Sequence, residues 1–224
     1  MTVFIFVVSI FSLGLEHLHK FIAASAFHDS NERHPPPRCH PSTRERILQK
    51  IRQWITEDSS TRIVWLSGST GTGKSAIAQT AAERCKEDGL TAAFFFFRSS
   101  PERSPATRLI ATIAYQIALF VPGAESFVTK AVEDDLSVFS KDLSTQIYHL
   151  VVLPLKFATR AQTSKSYFVV IIDGLDECVD EKTQSDIWMQ FTLHLLPKAF
   201  RYDFSSRAGQ STKFELGLNE TTFV

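Results

Sequence analysis

The chain has 224 residues, of which 44% are hydrophobic and 21% charged, a balance that fits a globular domain and excludes a disordered or fibrous chain. Lysine plus arginine and aspartate plus glutamate number 24 each, so no net field draws the protein to nucleic acid or to an anionic membrane. Three cysteines far apart in sequence, with no CxxC pair, argue against a disulfide framework and favour a reducing, cytoplasmic setting.

The first fifteen residues, MTVFIFVVSIFSLGL, are apolar and uncharged but fall short of the ~20 needed to span a bilayer. They read as a buried or partner-packing helix, with a secretory signal ending near AASA (23–26) and a membrane anchor as alternatives. The proline run in HPPPRCHP forbids helix and marks a linker. Residues 1–38 are therefore read as an N-terminal helix and linker, 39–207 as the main domain and 208–224 as a tail.

From Ser42 onward, Ile47, Leu48, Ile51, Trp54 and Ile55 share one face of an amphipathic helix. Residues 62–67 (RIVWLS) then read as a buried strand, 75–88 as a helix and 90–98 (LTAAFFFFR) as a second strand. A helix capped near Ser104 follows, residues 123–158 are helical, and 166–174 (SYFVVIIDG) form the third strand. Residues 200–207 (FRYDFSSR) are a fourth strand candidate. Strands alternating with helices imply an α/β fold with a mostly parallel sheet flanked by helices, and ligands in such folds bind beyond the carboxyl ends of strands.

Two motifs fall at such ends. Gly68, Ser69, Thr70, Gly71, Thr72, Gly73, Lys74 and Ser75 match the phosphate-loop pattern between a strand and a helix. Its glycines let successive N–H groups face phosphate oxygens, Lys74 supplies a point charge and Ser75 a hydroxyl for Mg²⁺. The second, VVIIDGLDEC, ends a strand on Asp173, a partner for Mg²⁺, with Asp176 and Glu177 placed to orient or deprotonate water. His28, His34, Cys39 and His40 fit no common zinc spacing, and Cys178 beside carboxylates reads as a packing residue rather than a nucleophile.

Together GSTGTGKS, FFFFR and IIDGLDEC resemble the NACHT domains of the STAND class of P-loop nucleoside triphosphatases, in particular those of fungal NOD-like receptors. The resemblance implies Walker A and Walker B sites: Lys74 and Ser75 on phosphate and Mg²⁺, Asp173 on the metal, Asp176 as catalytic acid and Arg207 as a γ-phosphate sensor. It implies a slow ATPase acting as a switch in signal transduction, with ATP and Mg²⁺ as cofactors and a protein partner or self-association. The alternatives weighed on the residues are a non-catalytic nucleotide-binding scaffold and a small-molecule kinase.

Overall fold

The computed structural model describes residues 13–56, 63–66, 68–87, 91–160, 168–195, 214–216 and 221–223. In chain order they form α1 (Leu13–His19), α2 (Glu45–Thr56), α3 (Lys74–Glu87), β1 (Thr91–Phe95), α4 (Leu109–Phe120), α5 (Ala124–Asp134), α6 (Leu143–Ile147), α7 (Leu153–Arg160), β2 (Val169–Asp173) and α8 (Glu181–Leu195). A short antiparallel pair, β3 (Phe214–Leu216) with β4 (Thr221–Phe223), completes the described elements.

The core is built around α4, whose sequence LIATIAYQIALF is apolar on almost every side and is buried accordingly. It is joined by α1, α5 and the stretch Tyr148–Val152 that leads into α7. Leu18, Ile22, Ala23 and Ala26 of the N-terminal segment are part of this same core. At Gly14 a Cβ would stand 2.5 Å from the Thr129 carbonyl oxygen, so the absence of a side chain is what lets α1 lie against α5.

β1 and β2 run parallel, with Thr91 opposite Val169 and Phe95 opposite Asp173. The strand period of two divides β1 between its faces. Phe94 and Phe96 enter the α4 core, whereas Ala93 and Phe95 cluster with Ala82 of α3. Fully burying an aromatic side chain contributes about 1.5–3 kcal/mol, so the phenylalanine run fixes both layers at once.

The expected extended parallel sheet is corrected here. Among the described residues the parallel sheet is the β1–β2 pair alone and the fold is mostly helical. Residues 63–66 of the expected first strand run without regular pairing apart from an isolated bridge at Leu66, and residues 200–207 lie outside the described residues. At the β1 edge the sheet stops at Ala93, whose N–H donates to Gln116 Oε1 and whose carbonyl accepts from Gln116 Nε2, both at 3.0 Å. A side-chain amide of α4 thus occupies the backbone groups through which β1 would pair further.

Candidate functional site

The sequence-predicted residues sit where α3 begins and β2 ends. The loop before α3 is made by two left-handed glycines, Gly71 (φ +83°) and Gly73 (φ +86°), at each of which a Cβ would meet nothing within 4 Å. Thr72 N–H and Thr72 Oγ1 both donate to the Ser69 carbonyl, at 3.3 and 2.9 Å, closing the turn. Lys74 folds back over it, its Nζ donating to the carbonyls of Gly68 (2.7 Å) and Ser69 (3.0 Å). Exposed Arg44, at φ +59° just ahead of α2, donates from Nη2 to the Thr72 carbonyl at 3.2 Å.

At the other half of the site, Gly174 in the left-handed region (φ +69°) turns β2 into a short 3-10 turn, Leu175–Glu177. Phe96 N–H donates to the Asp173 carbonyl at 2.9 Å, tying this end to β1. The Ser75 hydroxyl sits beside the Asp173 carboxyl, which brings the two motifs together. Burial raises the Asp173 carboxyl above the usual carboxylate range, while the Ser75 hydroxyl and the Arg33 charge pull it back; Glu177 and Asp176 raise it further.

The structure therefore brings Lys74, Ser75, Asp173, Asp176 and Glu177 into one neighbourhood. Exposed Asp176 and half-buried Glu177 bind their surroundings through Arg98: its Nη2 donates to the Asp176 carbonyl (2.7 Å) and its N–H to Glu177 Oε2 (3.0 Å). Arg207 lies outside the described residues. Sequence reasoning missed three arginines. Arg98 and Arg103, whose Nε donates to the Phe95 carbonyl at 2.9 Å, follow the second strand. Arg33 reaches in from the linker with its guanidinium carbon 3.4 Å from the centre of the Phe95 ring. Their place after the strand end could have flagged the first two; nothing local flags Arg33.

This is a mostly helical domain with a two-stranded parallel sheet, whose loop-to-helix turn and acidic strand end meet where Ser75 faces Asp173. The chain belongs to the family described as nephrocystin 3, N-terminal, whose model matches residues 42–207. No curated protein and no solved structure matches it significantly.

These findings correct the expected NACHT identity: the matching family is the nephrocystin 3 N-terminal one, and the extended sheet on which a STAND-type P-loop nucleoside triphosphatase rests is not the sheet described. What depended on that architecture is corrected with it, namely the ATPase switch, its scaffold and kinase alternatives, and the expected nucleotide partner; the expected protein partner or self-association has no support either way. The same holds for ATP and Mg²⁺ as cofactors. Among the described residues no group of three His, Cys, Asp or Glu side chains is placed to hold a metal ion. No helix among the described residues is long and apolar enough to cross a membrane.

Proposed function

We propose that residues Gly68 to Ser75, with Asp173, Asp176 and Glu177 as their support, form a binding site for a small oxyanion of the phosphate class. The observation that carries the reading is the open turn at Gly71 and Gly73 immediately before the fourteen-residue helix α3. The first N–H groups of a helix have no partner within it and carry the positive end of its dipole, so they favour a compact anion. An ammonium has three protons; two of those of Lys74 are taken by Gly68 and Ser69, which leaves one for the ligand.

The carboxylates play a supporting part in this reading. Asp173 faces the Ser75 hydroxyl and Glu177 accepts from the Arg98 backbone N–H, while Arg98 Nη2 is bonded to the Asp176 backbone carbonyl and leaves that side chain exposed. The role is binding without chemistry. Free thiols at Cys39 and Cys178 support a reducing compartment such as the cytoplasm.

Inorganic phosphate titrated at constant ionic strength, with the Gly71, Gly73 and Lys74 amides followed by NMR, tests the site. Saturable shifts confined to this turn are expected, with an affinity at least about tenfold weaker in Lys74→Ala, as befits loss of a charge-assisted bond. Unsaturated shifts, or equal affinity in the variant, would remove the reading.

A further inference from the structure

The linker between α1 and α2 is laid along one face of α3, and it is held there in an unusual way. Before it, Ile22, Ala23 and Ala26 are anchored in the core, where Ala23 N–H donates to Thr112 Oγ1 at 2.9 Å and Arg108 Nη1 donates to the Ile22 carbonyl at 2.7 Å. After it, Ile47 and Leu48 are buried against Ile77 and Ala81 of α3. Between Ala26 and Ile47 the only buried residue is His28.

The intervening stretch is attached by polar contacts. Gln79 of α3, fully buried, donates from Nε2 to the His28 carbonyl (2.8 Å) and accepts from Arg33 Nη2 at Oε1 (2.9 Å). Thr80 Oγ1 accepts from Cys39 N–H at 3.0 Å. Two ion pairs, Lys86 with Asp29 and Arg38 with Glu83, lie at the exposed margin. Gln79, Glu83 and Lys86 follow each other at helical spacing, so the linker tracks a single ridge of α3.

Several buried groups on this stretch have no partner. Among the described residues five buried side-chain polar atoms lack a hydrogen bond within the protein, and three of them, His28 Nδ1 and Arg33 Nε and Nη1, are here. Unsatisfied buried polar atoms are exceptional in folded proteins, and a segment with few buried apolar contacts belongs to the low-stability end of a structure. The charged groups facing His28 are Asp29 and Arg33 on its own segment and Glu83 and Lys86 on α3. Arg33, besides Phe95 and Gln79, faces Asp173, Glu83 and Arg103.

We propose that residues 28–39 are a releasable strap: they lift off α3 and Phe95 as one unit when His28 gains a proton, and so remove the Arg33 cation from Asp173. Burial holds the His28 imidazole below its ordinary value, even though the Asp29 and Glu83 carboxylates favour its charged form against Lys86 and Arg33. Acid drives the proton on by opening the strap. Because Asp173 faces both Ser75 and Arg33, release leaves the carboxylate at the base of the 68–75 turn without the Arg33 charge and weakens anion binding there. That last consequence rests on the phosphate reading, whereas the release itself does not.

Hydrogen exchange of the full chain, measured in phosphate-free buffer at pH 7.5 and 5.5 and corrected for intrinsic rates, tests the strap. Its reporters are the Ser30, Arg33, His34 and Cys39 amides, which are bonded to Phe27, Ser30, Asn31 and Thr80 respectively. They are expected to exchange about tenfold faster at the lower pH while α4 is unchanged. His28→Gln is expected to abolish the pH response and Arg33→Met to slow exchange at both pH values. Where His28→Gln does not fold, Lys86→Gln takes its place and is expected to weaken the acid response. Strap protection equal to that of α4 at both pH values, or a full acid response in His28→Gln, or in Lys86→Gln where it stands in, overturns the proposal. Repeating the measurement with phosphate separates the two readings: loss of coupling alone counts against the anion site and leaves the strap standing.

Discussion

Replacing Gln116 by leucine should cost the protein a large part of its stability, although the substitution keeps side-chain volume and adds apolar surface. Gln116 is 1% exposed and Ala93 fully buried, and the amide satisfies both the N–H and the carbonyl of Ala93. Its third bond, from Nε2 to the Thr112 carbonyl at 3.0 Å, is dispensable, because Thr112 stands inside a continuous helix. Leucine strands the two backbone groups of Ala93 in a dry core at about 1–3 kcal/mol each, a cost of about 2–6 kcal/mol. The extra apolar burial returns about 1 kcal/mol, so a net loss of about 1–5 kcal/mol is expected against a typical total of about 5–15. Urea unfolding followed by far-ultraviolet circular dichroism, extrapolated linearly, measures it. A loss below about 1 kcal/mol would refute the claim that this amide takes the place of a neighbouring strand. Gln116→Glu supplies the sign test. The acid must keep its proton to donate to the Ala93 carbonyl, so its folded value is raised; its stabilising bond is present below the ordinary glutamate range, near 4.3, and lost as pH rises through the folded value.

Three further outcomes follow from the same geometry. Gly14→Ala places a methyl group 2.5 Å from the backbone oxygen of Thr129, which cannot swing aside, and should cost about 1–3 kcal/mol in the same urea experiment as α1 is pushed off α5. Asp142 caps α6, accepting from Thr145 N–H at 2.9 Å and from Thr145 Oγ1 at 2.7 Å; Asp142→Ala should lower stability by about 0.5–2 kcal/mol, and Asp142→Asn by less. Asp173→Asn should stabilise at pH 7. The Asp173 carboxyl is raised by burial, so its contribution is complete below the ordinary aspartate value of 3.8 and lost as pH rises through the folded value. The asparagine avoids that loss, and its advantage should vanish as pH falls towards 4; no difference at pH 7 would show that Arg33 already compensates the charge.

Where a single local rule decides the conformation, the sequence is a good guide. β1 and β2 are apolar runs bounded by breakers, α4 is apolar on all sides and therefore central, and Gly71, Gly73 and Gly174 fall at left-handed turns that a side chain would strain. The reading fails where a distant residue decides. Residues 62–67 have the same β-branched character as 166–174, yet their described part makes one bridge, because strand propensity reports fitness for a pleated surface and not whether a partner is there. Gln116, met inside IAYQIAL, looks like a polar break in an apolar helix; that its amide seals a strand 23 residues earlier has no local signature. Arg33 likewise reads as linker charge until the linker is seen to run over Phe95.

The meeting of Ser75 and Asp173 was legible for a different reason, and the apolar contacts beneath it explain why the two motifs need each other. Ile77 stands two residues after Ser75 on α3, and Ile171 stands two residues before Asp173 on β2; Ile171 packs into the cluster around Ile77 and also into that of Ala82, Ala93 and Phe95. Small residues at Ala78, Ala81 and Ala82 let the helix approach the sheet along this line. Shortening Ile171 to alanine removes the side chain shared by both clusters, so α3 is free to shift relative to β2 before either motif is touched. Ser75 should then move away from Asp173, and with it the influence that holds the Asp173 carboxyl down against its burial. The Asp173 carboxyl titration followed by NMR should move upward in Ile171→Ala if packing sets the distance, and stay in place if the contact of Ser75 with Asp173 alone holds the two elements together.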